Sequence, residues 1–210
     1  MQFGKVLGLA LMLSLGGCAS FTKDEVAPVS LPSMANYANK PNVFVDFDFY
    51  QGEPGASATE VPQARDMLQP ELKRAFDESG LFGRVVFNEF DKKPGDSNLR
   101  LNVYNHPPSG GQVAWAFVSG LTMMVLPAMG TDHYTVSLET VDDRGQALSK
   151  NTNHDAINTW FGIVFLPLMG NTPKEAINDT FNRQVKALLK DWVDNNRNQY
   201  SALDTRIPRA

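Results

Sequence analysis

This chain is poor in the residues that usually carry chemistry. Among its 210 residues there is one cysteine, Cys18, and there are three histidines. One cysteine excludes an internal disulfide, so a packed core must hold the fold by itself. No run of lysine or arginine is present and the formal charge is -4, which leaves no phosphate-binding stripe and argues against nucleic acid as a partner. No Gly-x-Ser-x-Gly elbow and no His-Glu-x-x-His spacing occurs, so neither the hydrolase nucleophile nor the helical zinc pair has a signature here. No apolar run reaches the roughly 20 residues that a spanning helix needs. The 42% hydrophobic and 20% charged content is ordinary for a globular domain.

What is present begins at the start of the chain. Lys5 supplies a positive segment, and Val6 to Leu15 is an apolar run of signal-peptide length. It ends Leu15-Gly16-Gly17-Cys18-Ala19-Ser20. Small residues before the lone cysteine resemble the lipobox of bacterial lipoproteins. That resemblance implies that residues 1–17 are a signal peptide and that Cys18 becomes the lipidated, palmitate-bearing first residue. Losing Lys5 takes the charge from -4 to -5. In that family an Asp just after the cysteine favours the inner membrane. Ala19 and Ser20 stand here, which implies a lipid anchor in the outer membrane, facing the periplasm.

Residues 18–41, rich in Ser, Pro, Asn and Lys and without apolar period, read as a lipidated N-terminus and flexible tether that lifts the domain off the bilayer. Residues 42–198 read as a single α/β domain. Val43, Val45, Phe47 and Phe49 alternate with Asp46 and Asp48, the period of a half-buried strand whose carboxylates form its wet face. Ala64, Leu68, Leu72, Ala75 and Phe76 share a helical face, with Pro62 suited to the first turn and Gly80 to the stop. Pro70 inside this pattern predicts a kink or two helical pieces. Val85–Phe87 opens a second strand and Leu99, Leu101 and Val103 mark a third. Residues Val43-Phe44-Val45-Asp46-Phe47, Leu72 and Leu81-Phe82-Gly83-Arg84-Val85-Val86 together resemble the small α/β domains of TolB-like lipoproteins, including curli-secretion and penicillin-binding-protein-activator types. The resemblance implies partner binding or ring formation without an active site.

Two runs lack charge altogether. Val113–Met129 contains Trp115, Phe117, Met123 and Met124; Trp160–Met169 contains Phe161 and Phe165. Both end Leu-Pro-x-Met-Gly. An apolar segment must be buried against something. The choices are core, a membrane, a protein partner or a second copy, or the walls of a lipid pocket. Between the runs, His133–Val141, the turn Asp142–Gly145 and Ala147–Ile157 predict a hairpin. A three-residue loop sets His133 opposite Asp155; a two-residue loop sets it opposite His154. His133, His154 and Asp155 at one end of a hairpin invite a metal or hydrolytic reading, set against ordinary polar cross-strand pairs. The pairs are preferred, and no metal, cofactor or catalytic residue is assigned. Thr172–Glu175 is a capping box, and Ile177, Phe181, Val185, Leu188, Leu189 and Trp192 form the stripe of the last helix. Residues 199–210 read as a loose tail.

The expected architecture is a largely antiparallel sheet of about five strands with two or three packed helices. The expected function is that of a non-enzymatic outer-membrane lipoprotein, an assembly, transport-accessory or envelope-maintenance component working through protein contacts. Its expected partner or membrane contacts are Trp115, Phe117, Met123, Met124, Trp160, Phe161 and Phe165.

Overall fold

A computed structural model describes residues 18–202 except Ala56, Pro107, Met123 and Met169, and leaves the side chains of Leu166, Ser201 and Ala202 undescribed. The expected signal peptide, Met123 and the tail beyond 202 lie outside the described residues. The protein is mixed α/β. In chain order the elements are β1 (Cys18–Thr22), β2 (Tyr37–Asn39), β3 (Asn42–Gln51), β4 (Thr59–Glu60) and α1 (Pro62–Ser79). There follow β5 (Arg84–Val86), β6 (Ser97–His106), α2 (Gly110–Leu121), β7 (Ala128–Val141), β8 (Ala147–Phe161), α3 (Pro173–Asn195) and β9 (Ser201–Ala202). Seven strands join in one sheet, ordered β1-β8-β7-β6-β3-β4 with β5 also on β3, and β2 pairs with β9 separately. This sheet is larger than the five strands expected, and it is mixed. Strand β3 runs parallel to both β5 and β6, because α1 crosses between β3 and β5 and so returns the chain in the same direction.

Contacts gather the chain into two compact units. The first holds the described residues up to Glu25, His106–Tyr134 and Asp155–Thr180; the second holds Val26–Asn105, Thr135–His154 and the described residues from Phe181.

The second unit contains most of the aromatic core. On β3, Val43, Val45, Phe47 and Phe49 are buried, as the alternation predicts. Helix α1 buries Leu68, Leu72, Ala75 and Phe76, starts with Pro62 in its first turn, and ends at Gly80 in the left-handed conformation (φ 63°). It runs unbroken through Pro70, so the two-piece expectation fails. Pro70 is exposed, and water can take the carbonyl that the missing N–H leaves unpaired. Phe181 of α3 meets Phe47 with ring centroids 6.1 Å apart, Trp192 meets Phe82 at 5.3 Å, and Phe82 stacks on Phe76 at 5.4 Å. The Trp192 indole N–H donates to Thr140 Oγ1 over 3.0 Å. Arg84 donates to both oxygens of Asp96, at 2.7 and 2.6 Å, and the Lys93 N–H adds a third bond to this buried carboxylate. Thr135 to Glu139 are all buried, so β7 is covered on both faces here and not on the alternating face its sequence implies.

In the first unit β1 pairs antiparallel with β8, Cys18 facing Phe161 and Ala19 facing Trp160. The tether therefore does not begin at the cysteine. Ala19 is fully buried and Ser20 nearly so. Ser20 shares a hydrogen bond with Thr159 (Oγ to Oγ1, 2.8 Å), its N–H donates to Asn171 O (2.9 Å), and the Lys23 N–H donates to Ala156 O (2.9 Å). Composition suggested a loose segment; a strand partner some 140 positions away orders it. At the other end of the chain, Tyr200 is buried and β9 pairs with β2, so the segment expected to be loose is ordered at least to Ala202.

Candidate functional site

The features that bear on function lie in the first unit, around Cys18. Cys18 is half-buried at the start of β1. Phe161, its cross-strand neighbour, is 37% exposed. Trp160 packs on Phe165 with ring centroids 5.4 Å apart. Gly162 follows at φ 156°, and a side chain there would put Cβ 3.3 Å from Pro127 Cα and Cβ and 3.4 Å from Met124 O. Only glycine allows this approach, and it brings the two uncharged runs together: the Ile163 N–H donates to Met124 O over 3.2 Å. Met124 is half-buried with φ 62°, left-handed and unusual for a residue with a side chain.

Helix α2 comes from the first of these runs. Ser109 caps it, accepting from the Gln112 N–H while the Gln112 side chain accepts from the Ser109 N–H. This Ser-x-x-Gln box is a sequence signal for a helix start. Of its twelve residues only Ser119 is buried. Val113, Trp115, Phe117 and Leu121 are 59, 50, 69 and 70% exposed. Beyond the helix, Val125, Leu126, Val164 and Leu168 are exposed too. Single exposed apolar residues are unremarkable; these eight are drawn from the two uncharged runs. Among the described residues, no helix is long and apolar enough to cross a membrane.

Backbone polar groups around this surface are satisfied internally. Met124 N–H donates to Ser119 O, Val125 N–H to Thr122 O, Leu126 N–H to Thr122 Oγ1, and Phe165 N–H to Gly162 O. The Ser119 hydroxyl donates to Leu126 O at 2.6 Å and the Trp115 indole N–H to Pro127 O at 3.0 Å.

The hairpin does not assemble the residues that suggested a metal. Its tip is the three-residue loop: Asp142 N–H donates to Gln146 O, and Gly145 sits at φ 77°. Further along, Thr135 Oγ1 lies 2.8 Å from His154 Nδ1 and Thr131 Oγ1 2.8 Å from Asn158 Oδ1. These are polar cross-strand side-chain pairs of the ordinary kind. Asp155 is buried and accepts from the Glu25 and Ala156 N–H groups. Its carboxylate holds backbone in place. Among the described residues, no three His, Cys, Asp or Glu side chains gather as metal ligands.

An open cleft of about 480 Å³ lies against β1 and the start of α3, lined by Ser20, Phe21, Thr22, Asn171, Thr172, Glu175, Ala176 and Asp179. Its polar walls do not suit a lipid, and neither apolar run lines it. Glu175 is already used in the capping box, accepting from the Thr172 N–H and hydroxyl. In the second unit Asp46 and Asp48 form ion pairs with Arg100 (3.7 Å) and Arg65 (3.8 Å). Burial pushes the Asp48 carboxyl up, and Asp46 and Glu60 add repulsion.

No family model matches the chain, and no curated protein does. Among solved structures it is similar to a PelC dodecamer from Paraburkholderia phytofirmans, 13% identical, with 81% of this chain and 98% of that one covered and a TM-score of 0.29. A likeness at that score decides neither fold nor function.

Proposed function

We propose that this protein is a lipoprotein of the outer membrane, held by acyl chains on Cys18, facing the periplasm and acting through protein contacts without catalysing a reaction. It serves as an assembly, transport-accessory or envelope-maintenance component, with a protein partner or further copies of itself. The observation that carries the reading is the apolar run that ends in two glycines directly before the only cysteine. Acylation contributes about 0.8 kcal/mol per buried methylene, and more than one chain makes attachment durable. Exposed apolar side chains in the first unit can face a partner or a membrane. The experiment is metabolic labelling with a radioactive or clickable palmitate. The parent should take up label and partition into the detergent phase, and Cys18→Ser should do neither. Equal labelling of the two chains overturns the reading.

A further inference from the structure

We infer that helix α2 and the 3-10 turn Ile163–Leu168 form an apolar tip that dips into the leaflet holding the anchor. The inference rests on the acylation of Cys18 for the position of that leaflet, and on three observations for the insertion.

The first is the missing tether. A lipid chain on a cysteine followed by a flexible linker says nothing about which surface meets the bilayer. Here Cys18 is itself a residue of β1, paired with Phe161, and neighbouring strands lie about 4.8 Å apart. Acyl chains that start at Cys18 therefore bring the headgroup layer to Phe161. Through the close approach of Gly162 to Pro127 and Met124, they bring it to the loop that follows α2.

The second observation is charge. No Asp, Glu, Lys or Arg occurs between Arg100 and Asp132, or between Asp155 and Lys174. Protein interfaces usually surround an apolar centre with a polar rim in which Arg is common. Two segments with no charge of their own and with exposed apolar side chains fit hydrocarbon better.

The third is the backbone. Lipid offers no hydrogen bonds, so irregular chain that enters it must satisfy its own polar groups. In the turn after α2 the N–H groups of Met124, Val125 and Leu126 and the carbonyls of Leu126 and Pro127 are satisfied in this way, through Ser119, Thr122 and the Trp115 indole. Pro127 and Pro167 have no N–H to satisfy. In water such economy is unnecessary. Helix α2, twelve residues and about 18 Å long, would sink its exposed side chains to the headgroup–acyl boundary, about 5–10 Å deep. Protein contacts then fall to other surfaces.

The test uses the chain extracted from membranes and reconstituted in phosphatidylethanolamine–phosphatidylglycerol vesicles whose acyl chains carry bromine. Trp115 emission is obtained as the difference between the parent and Trp115→Phe. It should lose about half or more of its intensity to the bromines, as expected for an indole at the acyl boundary. Phe117→Asp should melt like the parent, since the site is 69% exposed, and should cut the quenching at least about fivefold because a carboxylate resists hydrocarbon. If that variant folds poorly, Leu121→Ser, at a site 70% exposed, takes its place. Unquenched Trp115 in protein retained on the vesicles overturns the inference, and crosslinked dimers in that sample would assign the surface to a second copy. The mass of the Cys18 residue is read in parallel. Quenching without acylation would overturn the anchor and keep the tip; acylation without quenching would do the reverse.

Discussion

Ala19→Leu is the change that most directly asks whether the chain next to the cysteine is a strand or a tether. Ala19 is fully buried opposite Trp160, and three carbons, a methine and two methyls, would have to be added at that buried site. Overpacking of this kind costs about 1–3 kcal/mol, through displaced side chains and shifted backbone. For a chain of this size each kcal/mol moves the melting temperature by about 2–4 °C, so a fall of roughly 5 °C is expected. The control is Ala27→Leu, eight positions on, where the side chain is exposed and the same carbons meet only water. Both variants leave Cys18 in place, so anchoring is not at issue. Thermal unfolding of the detergent-solubilised proteins, followed by circular dichroism, compares the two with the parent. A fall for Ala19→Leu with an unchanged Ala27→Leu supports an ordered β1. Identical melting of all three would mean that the segment is loose, and the argument that the bilayer must reach Phe161 would go with it.

Two further outcomes test the packing and electrostatics of the second unit. Asp96→Ala should cost about 2–3 kcal/mol in urea unfolding, because it strands the Arg84 guanidinium and the Lys93 N–H, whereas Asp96→Asn keeps one acceptor and should lose less; an Asp96→Asn variant as stable as the parent would mean that the ion pair contributes nothing. Asp48 is pushed up by its own burial first, then by Asp46 and Glu60. Its folded state therefore favours the protonated acid, and stability is lost as pH rises from the ordinary carboxylate range through the raised value. Asp48→Asn should accordingly be more stable than the parent at neutral pH and gain nothing at about pH 3, where both side chains are neutral. A variant less stable than the parent at pH 7 would show that the Arg65 ion pair outweighs these costs.

How much of this was legible beforehand depends on how local each signal is. Strand β3, helix α1 with Pro62 and Gly80 at its ends, and the capping box at Thr172 are written within a few residues of themselves, and they stand in the structure as read. Helix α2 carries Val113, Phe117 and Leu121 at helical spacing inside an uncharged run, and these side chains are exposed, not part of the core. The Ser109–Gln112 box was the remaining sign. The hairpin tip was legible from Gly145, but which side chains meet further along, such as Thr135 and His154, was not. Nor could the burial of both faces of β7 be read from Thr135, Ser137 and Glu139, since small and polar residues of this kind are as common on a wet face.

By itself, the sequence determined the chemistry available to this protein: a single cysteine after an apolar run, no nucleophile or ligand spacing, and two long uncharged segments. Those are properties of composition and of neighbours along the chain. Only the tertiary structure decided where that chemistry lies. It made a strand of the residues after Cys18 by supplying Thr159 and Trp160 as partners, closed Gly162 onto Pro127, and left the side chains of α2 facing outward. Each of these depends on contacts between residues far apart in the chain, whose free energy is realised only once the intervening loops have closed.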